Sequence, residues 1–106
     1  MVSAIGVNHP DRWSQSMRPY YQAKAEADAQ LEASGLDYTI VRPGRLTDEP
    51  GTGLIESGRS LERSGDVPRE DVAATLVACL DEPATVGLSV DLLAGETPIA
   101  EALRAL

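Results

Sequence analysis

Residues 20–44 read YYQAKAEADAQLEASGLDYTIVRPG, a helix, a stop, a strand and a turn in succession. Stepping about 100° per residue from Tyr20 places Lys24, Ala27 and Leu31 on one helix face, with Ala23 and Ser34 at its margin. The alanines on that face let the backbone lie close to whatever covers it. Gly35 stops the helix, because glycine accepts the left-handed conformation of a C′ residue. Leu36 follows where a side chain can fold back onto the last turn. Tyr38 to Arg42 is a β-branched and aromatic run that favours a strand. Pro43 and Gly44 end it.

Tyr20 and Lys24 are one helical turn apart, so their side chains are neighbours. A free phenol has a pKa of about 10 and exchanges protons poorly at neutral pH. A nearby cation favours the phenolate, and the pair can then pass a proton to or from a substrate oxygen. The alternative is an amphipathic helix with an exposed tyrosine and a solvated lysine.

The longer pattern is more specific. Tyr20-x-x-x-Lys24, a helix ending in SGLDYT, and then the VRPG of residues 41–44 resemble the short-chain dehydrogenase/reductase superfamily. The likeness is to its atypical NAD(P)-binding members, the NmrA-like and sugar-epimerase-like oxidoreductases. LTDEPGTG at 46–53 and VPREDVA at 67–73 extend it over nearly the whole chain. It covers only the C-terminal half of such an enzyme. The resemblance implies Tyr20 as acid/base, Lys24 as the group that tunes it and also bonds the nicotinamide ribose, and Pro43 and Gly44 beside the nicotinamide ring. It also implies a carbonyl-orienting serine on the preceding strand. Ser3 is the matching position, with Ser14 and Ser16 on the following loop as alternatives, and a plain loop or cap hydroxyl is an equal reading of all three. The implied cofactor is NAD or NADP, and the implied substrate a small carbonyl compound.

The chain has 106 residues, enough for one small domain with a thin core. Hydrophobic residues make up 42% and phenylalanine is absent, so Leu, Val, Ile and Ala must fill that core. A net charge of −8 disfavours nucleic-acid phosphates and anionic membrane surfaces as partners. One cysteine, Cys79, excludes an internal disulfide and fits a reducing cytoplasm. One histidine, His9, leaves no histidine pair for a metal and no Ser-His-Asp triad. No run reaches transmembrane length and the N-terminus lacks a leader pattern, so the expectation is a soluble, cytoplasmic protein.

In chain order, Met1 to Val7 reads as a buried strand that ends in a loop over residues 6–11. Trp13 is placed to pack over the helix start, and Pro19 suits its first turn. Residues 47–53 form a loop, a substrate-side lid in the resembling family or a plain surface connection. Leu54 to Gly58 reads as a brief strand. Pro68 to Leu80 is a helix with Val72, Leu76, Cys79 and Leu80 on one apolar face. Leu88 to Ala94 is a strand. Thr97 can cap a last helix begun by Pro98, with Ile99, Leu103 and Leu106 on its apolar side.

Strands alternating with helices imply parallel pairing through right-handed crossovers. The expected class is therefore α/β: one domain over residues 1–106, the C-terminal half of a Rossmann-like doubly wound sheet, with about three parallel strands and their helices. The Gly-rich turn that holds a dinucleotide pyrophosphate has no counterpart here. Without the other half, Met1 to Val7 would present an unpaired apolar edge. A second copy, or the missing N-terminal half, is the expected partner across it. Function then divides three ways: half of an NAD(P)-dependent oxidoreductase, a non-catalytic NAD(P)-sensing regulator, or a half domain that only dimerises.

Overall fold

The computed structural model describes residues 1–106. Helix α1 spans Arg18–Glu32, with Pro19 in its first turn, and Gly35 takes the left-handed φ of 80° just beyond its end. Strand β1 (Thr39–Pro43) follows, then short β2 (Arg45–Thr47), β3 (Leu54–Gly58), short β4 (Asp66–Pro68), α2 (Arg69–Leu80), β5 (Leu88–Ala94), the two-residue β6 (Thr97–Pro98) and α3 (Ile99–Arg104).

The main sheet has the order β1-β5-β3-β6, and β2 pairs with β4 in a separate ribbon. Strands β1 and β5 are parallel, with Val41 opposite Val90 and Arg42 opposite Asp91. The N-terminal residues extend this parallel set on the far side of β1. Val41 N–H donates to the Met1 carbonyl at 2.8 Å, Ser3 N–H to Val41 at 2.7 Å and Ile5 N–H to Pro43 at 3.0 Å. The parallel part of the sheet is thus Met1–Ile5, β1 and β5, linked through α1 and α2. Strands β3 and β6 add an antiparallel flank, which the alternation of elements did not signal.

The strand expected over Met1 to Val7 is shorter than that reading. It forms a single bridge, Val2 to Val41, and residues 5–8 are a turn. Two local causes stop it. Pro43, opposite, has no N–H to return a bond. Gly6, at φ 88°, then turns the chain away in a conformation that side-chain-bearing residues resist.

Val41, Val90 and Leu92 project from one sheet face and meet Ile55, Val67, Val72 of α2 and Ala102 of α3 in a continuous core. A groove of about 610 Å³ opens at the edge of this face, lined by Met1, Val41 and Leu76, with Leu31 of α1 reaching its rim. Helix α1 lies over the other face, bonded to it through Ser3–Asp28 at 2.6 Å and Ser89–Glu32 at 3.3 Å. That other face also carries the buried pair Arg42–Asp91, 2.7 Å apart. Arg42 also donates to the Arg59 carbonyl, and Leu61 N–H donates to Asp91, so the 59–61 loop closes over the pair.

Three local expectations are corrected. Leu80 leaves the apolar face of α2 and is 85% exposed, at the rim of the groove beside α2 where nothing covers it. Leu36 is exposed and does not fold back, because Ser34 spends its hydroxyl on the Leu31 carbonyl and accepts from Leu36 N–H. Thr97 provides no side-chain cap; it pairs with Ile55, and Pro98 takes the N-cap position of α3.

Candidate functional site

Only Asp28 of the fifteen residues of α1 is buried. The half-buried residues around it are Tyr21, Lys24, Ala25 and Leu31. The inner stripe is therefore Tyr21, Lys24, Asp28 and Leu31, rotated by about one residue from the stripe drawn on alanines, and Ala27 is exposed. A carboxylate on the inner face defeats any reading that looks for apolar spacing. Its partner explains it: Ser3 Oγ donates to Asp28 Oδ2 at 2.6 Å, beneath the helix.

Tyr20 sits at the margin of this stripe, 46% exposed. Lys24 Nζ lies 5.9 Å from the centroid of the Tyr20 ring and donates to the Val2 carbonyl at 3.4 Å. Along a strand, backbone groups alternate between the two edges. Met1, Ser3 and Ile5 bond to β1, so Val2 and Ala4 face outward, and neither of their amides donates a hydrogen bond. Tyr20 and Lys24 thus lie together beside the open edge of the sheet.

Ser3 is apart from them in role. It is 4% exposed and its hydroxyl proton is committed to Asp28. The runner-up serines are elsewhere: Ser14 and Ser16 are exposed, and Ser14 accepts from Met17 N–H before α1. Pro43 and Gly44 are both buried. A Cβ on Gly44 would collide with the Gly65 carbonyl and with Leu93, so the corner after β1 demands glycine for packing. Cys79 is half-buried beside the core, and burial pushes its thiol pKa up, which opposes thiolate formation.

Tyr21 was not singled out in the sequence. Its ring stacks on Trp13 at 5.5 Å and 13°, and meets Tyr20 edge-on at 5.5 Å. Trp13 is fixed in turn, donating its indole N–H to the Gly6 carbonyl at 3.0 Å. Tyr21 lines a polar cleft of about 370 Å³ that opens past the carboxyl end of Met1–Ile5. In open α/β sheets, ligands bind outside the carboxyl ends of the strands. A second tyrosine following the motif tyrosine was the available signal.

The family model described as NAD(P)H-binding matches residues 1–83. This chain belongs to that NAD(P)H-binding family. Among curated relatives, it is 52% identical over all 106 residues to the uncharacterized sugar epimerase YhfK of Bacillus subtilis (strain 168), and covers 49% of that protein. Among solved structures, a Bacillus halodurans protein described as a candidate NAD-dependent epimerase/dehydratase superposes with a TM-score of 0.95 at 39% identity, over 100% of this chain and 50% of its own. A short-chain dehydrogenase/reductase of Veillonella parvula DSM 2008, solved with NADP, shares the fold at a TM-score of 0.70 and 22% identity, over 87% of this chain and 48% of its own. The chain spans about half the length of the relatives it matches, as a C-terminal half of the Rossmann-like fold would. No helix is long and apolar enough to cross a membrane.

Proposed function

We propose that this chain is the catalytic, substrate-side half of an NAD(P)-dependent oxidoreductase of the short-chain dehydrogenase/reductase type. It works when a dinucleotide-gripping half pairs with the open edge of Met1–Ile5, and is inactive or nearly so alone. The observation that carries this reading is the placement of Tyr20 and Lys24 together beside that edge. Tyr20 passes its phenolic proton to the carbonyl oxygen of a small substrate, and the Lys24 ammonium stabilises the phenolate left behind. NAD(P)H, when bound, supplies the hydride. Lys24 has three N–H donors and uses one on Val2, which leaves two for a ribose hydroxyl. The chain fits the nicotinamide end of the cofactor only. Its sequence holds no Gly-rich turn for the pyrophosphate, so that grip belongs to the other half. In this reading Pro43 and Gly44, at the end of β1, lie beside the nicotinamide ring once the cofactor is bound. A single half-buried thiol suits a reducing cytoplasm, where we place the protein.

The test is reconstitution. The N-terminal half of the Bacillus subtilis relative is co-expressed with this chain, and nicotinamide oxidation is followed with aldehydes, ketones and quinones. Turnover by the 1:1 complex, absent in either half and abolished by Tyr20→Phe, supports the proposal. Equal turnover with Tyr20→Phe sinks it.

One observation favours the non-catalytic alternative, in which the dinucleotide is sensed and no chemistry follows. The Ser3 hydroxyl is held by Asp28 and is not free to orient a carbonyl. A reconstituted complex that binds NAD(P)H yet turns over nothing in the panel would support that reading. A chain that merely pairs with itself would show a tight homodimer and no dinucleotide effect on its melting temperature.

A further inference from the structure

We infer that the polar cleft beside Tyr21 is the substrate subsite, and that the substrate it takes bears an anionic group, a carboxylate or a phosphate, held by Arg12 and Arg63. The inference rests on the oxidoreductase reading for the word substrate, but the cleft and its charge stand on their own geometry.

The first support is charge placement. Residues 9–24 and 59–63 hold five of the chain's nine lysines and arginines and only two of its seventeen acids. In a chain of net charge −8, that is a local reversal of sign. These two segments supply most of the cleft walls: His9, Arg12 and Tyr21 beside Gly6 on one side, Arg63 beside Ser64 on the other. Arg18 adds a cation behind the first wall, 5.5 Å over the Trp13 ring. Two acids also line the cleft. Asp91 is neutralised by Arg42 at 2.7 Å, and Glu62 stands exposed on the rim. Arg63 pairs with Glu56, outside the cleft, and Arg12 pairs with no carboxylate. A concave site whose walls carry an excess of one sign of charge concentrates ligands of the other.

The second support is rigidity. Trp13 stacks on Tyr21 and bonds Gly6, which fixes the first wall. His9 Nε2 and Ser60 Oγ are 3.3 Å apart and tie the two walls together. Leu61 N–H donates to Asp91 at 2.9 Å and anchors the second wall to β5. The Tyr21 hydroxyl makes no hydrogen bond and is free for a ligand. A cleft held open in this way loses little ordering entropy when a ligand enters.

Trp13, the only tryptophan, reports on the cleft directly. The experiment titrates the 106-residue chain with sodium phosphate, with sodium pyruvate and with acetone, at ionic strength held constant by sodium chloride. Trp13 fluorescence and backbone amide shifts are the readouts. The expected result is a saturable change at Gly6, His9, Tyr21 and Ser64 with phosphate or pyruvate, and none with acetone. Whichever anion saturates identifies the headgroup. Arg12→Gln and Arg63→Gln should each weaken that binding about fivefold or more, and Arg69→Gln, at the start of α2, should not. The inference is overturned by no saturable response to either anion at tens of millimolar, or by a response that survives both arginine replacements. No cofactor or turnover enters this measurement. Loss of anion binding therefore leaves the oxidoreductase reading intact, and failed reconstitution with anion binding intact removes that reading alone.

Discussion

Replacing Ser3 by alanine would leave the Asp28 carboxylate, whose Oδ1 already lacks a donor, without one at Oδ2 either. A buried acceptor stripped of its partner costs about 1–3 kcal/mol. Ser3→Ala should therefore lower the melting temperature clearly. The double variant with Asp28→Ala should lose less than the two single changes combined, because no buried carboxylate then remains. Additive losses would show that the pair is not coupled. Cys79 makes a prediction of opposite character. With its thiol pKa raised by burial, iodoacetamide should label it at pH 8 more slowly than a free thiol, and at the ordinary rate in urea. Asp66 has its carboxyl pKa lowered, first by the hydrogen bond from Arg45. A depressed carboxyl favours the fold above its unfolded pKa and gives up that gain as pH falls through the folded value. Arg45→Met should thus raise the Asp66 titration midpoint seen by NMR. The pair is fully exposed, so the melting temperature at neutral pH should barely move. Of the proposed site, Tyr20 and Lys24 were legible because their spacing alone makes them neighbours. Asp28 and Tyr21 were not, because nothing local says that a buried serine on the N-terminal segment waits for a carboxylate.

Among the elements, β1 and β5 were readable nearly to the residue, since both are apolar runs closed by turn residues. The antiparallel setting of β3 was not, because the direction of a brief strand depends on partners far along the chain. Helix α2 shows the limit of periodicity. Val72 and Leu76 face the core, but Leu80 lies at the margin of the stripe, toward a groove that α1 does not fill. Leu80→Ser should change stability by no more than about 0.5 kcal/mol, as exposed positions do, whereas Leu92→Ala should cost about 2–5 kcal/mol. Denaturant midpoints of the two variants would separate them. At the β1–β2 corner, Gly44→Ala forces a methyl into the Gly65 carbonyl and Leu93, and should destabilise by about 1–3 kcal/mol. A neutral result there would mean that the Gly65 carbonyl and Leu93 give way at little cost.

On the scale of the whole molecule, the chain is a slab of 34 × 33 × 20 Å, with α2 and α3 on one face of the main sheet and α1 on the other. Its class was legible from the alternation of elements, and its incompleteness from the missing glycine turn. The outer edge at Val2 and Ala4 is the counterpart of that omission. An uncovered parallel edge is a template for another strand. In dilute solution the chain should run larger than its 11.3 kDa, either as a pair or with a complementing half. A stable, monodisperse monomer over a wide concentration range would count against an edge that needs covering.

Helix α1, seated by one buried residue, should behave as a hinged flap on an otherwise firm slab. Its amides should exchange with deuterium well before those of β1 and β5, through openings that leave the sheet intact. A binding partner would then do more than add surface. It would clamp the flap, slow that exchange, and turn assembly into the last step of folding, with the heat-capacity drop that newly sheltered hydrocarbon brings.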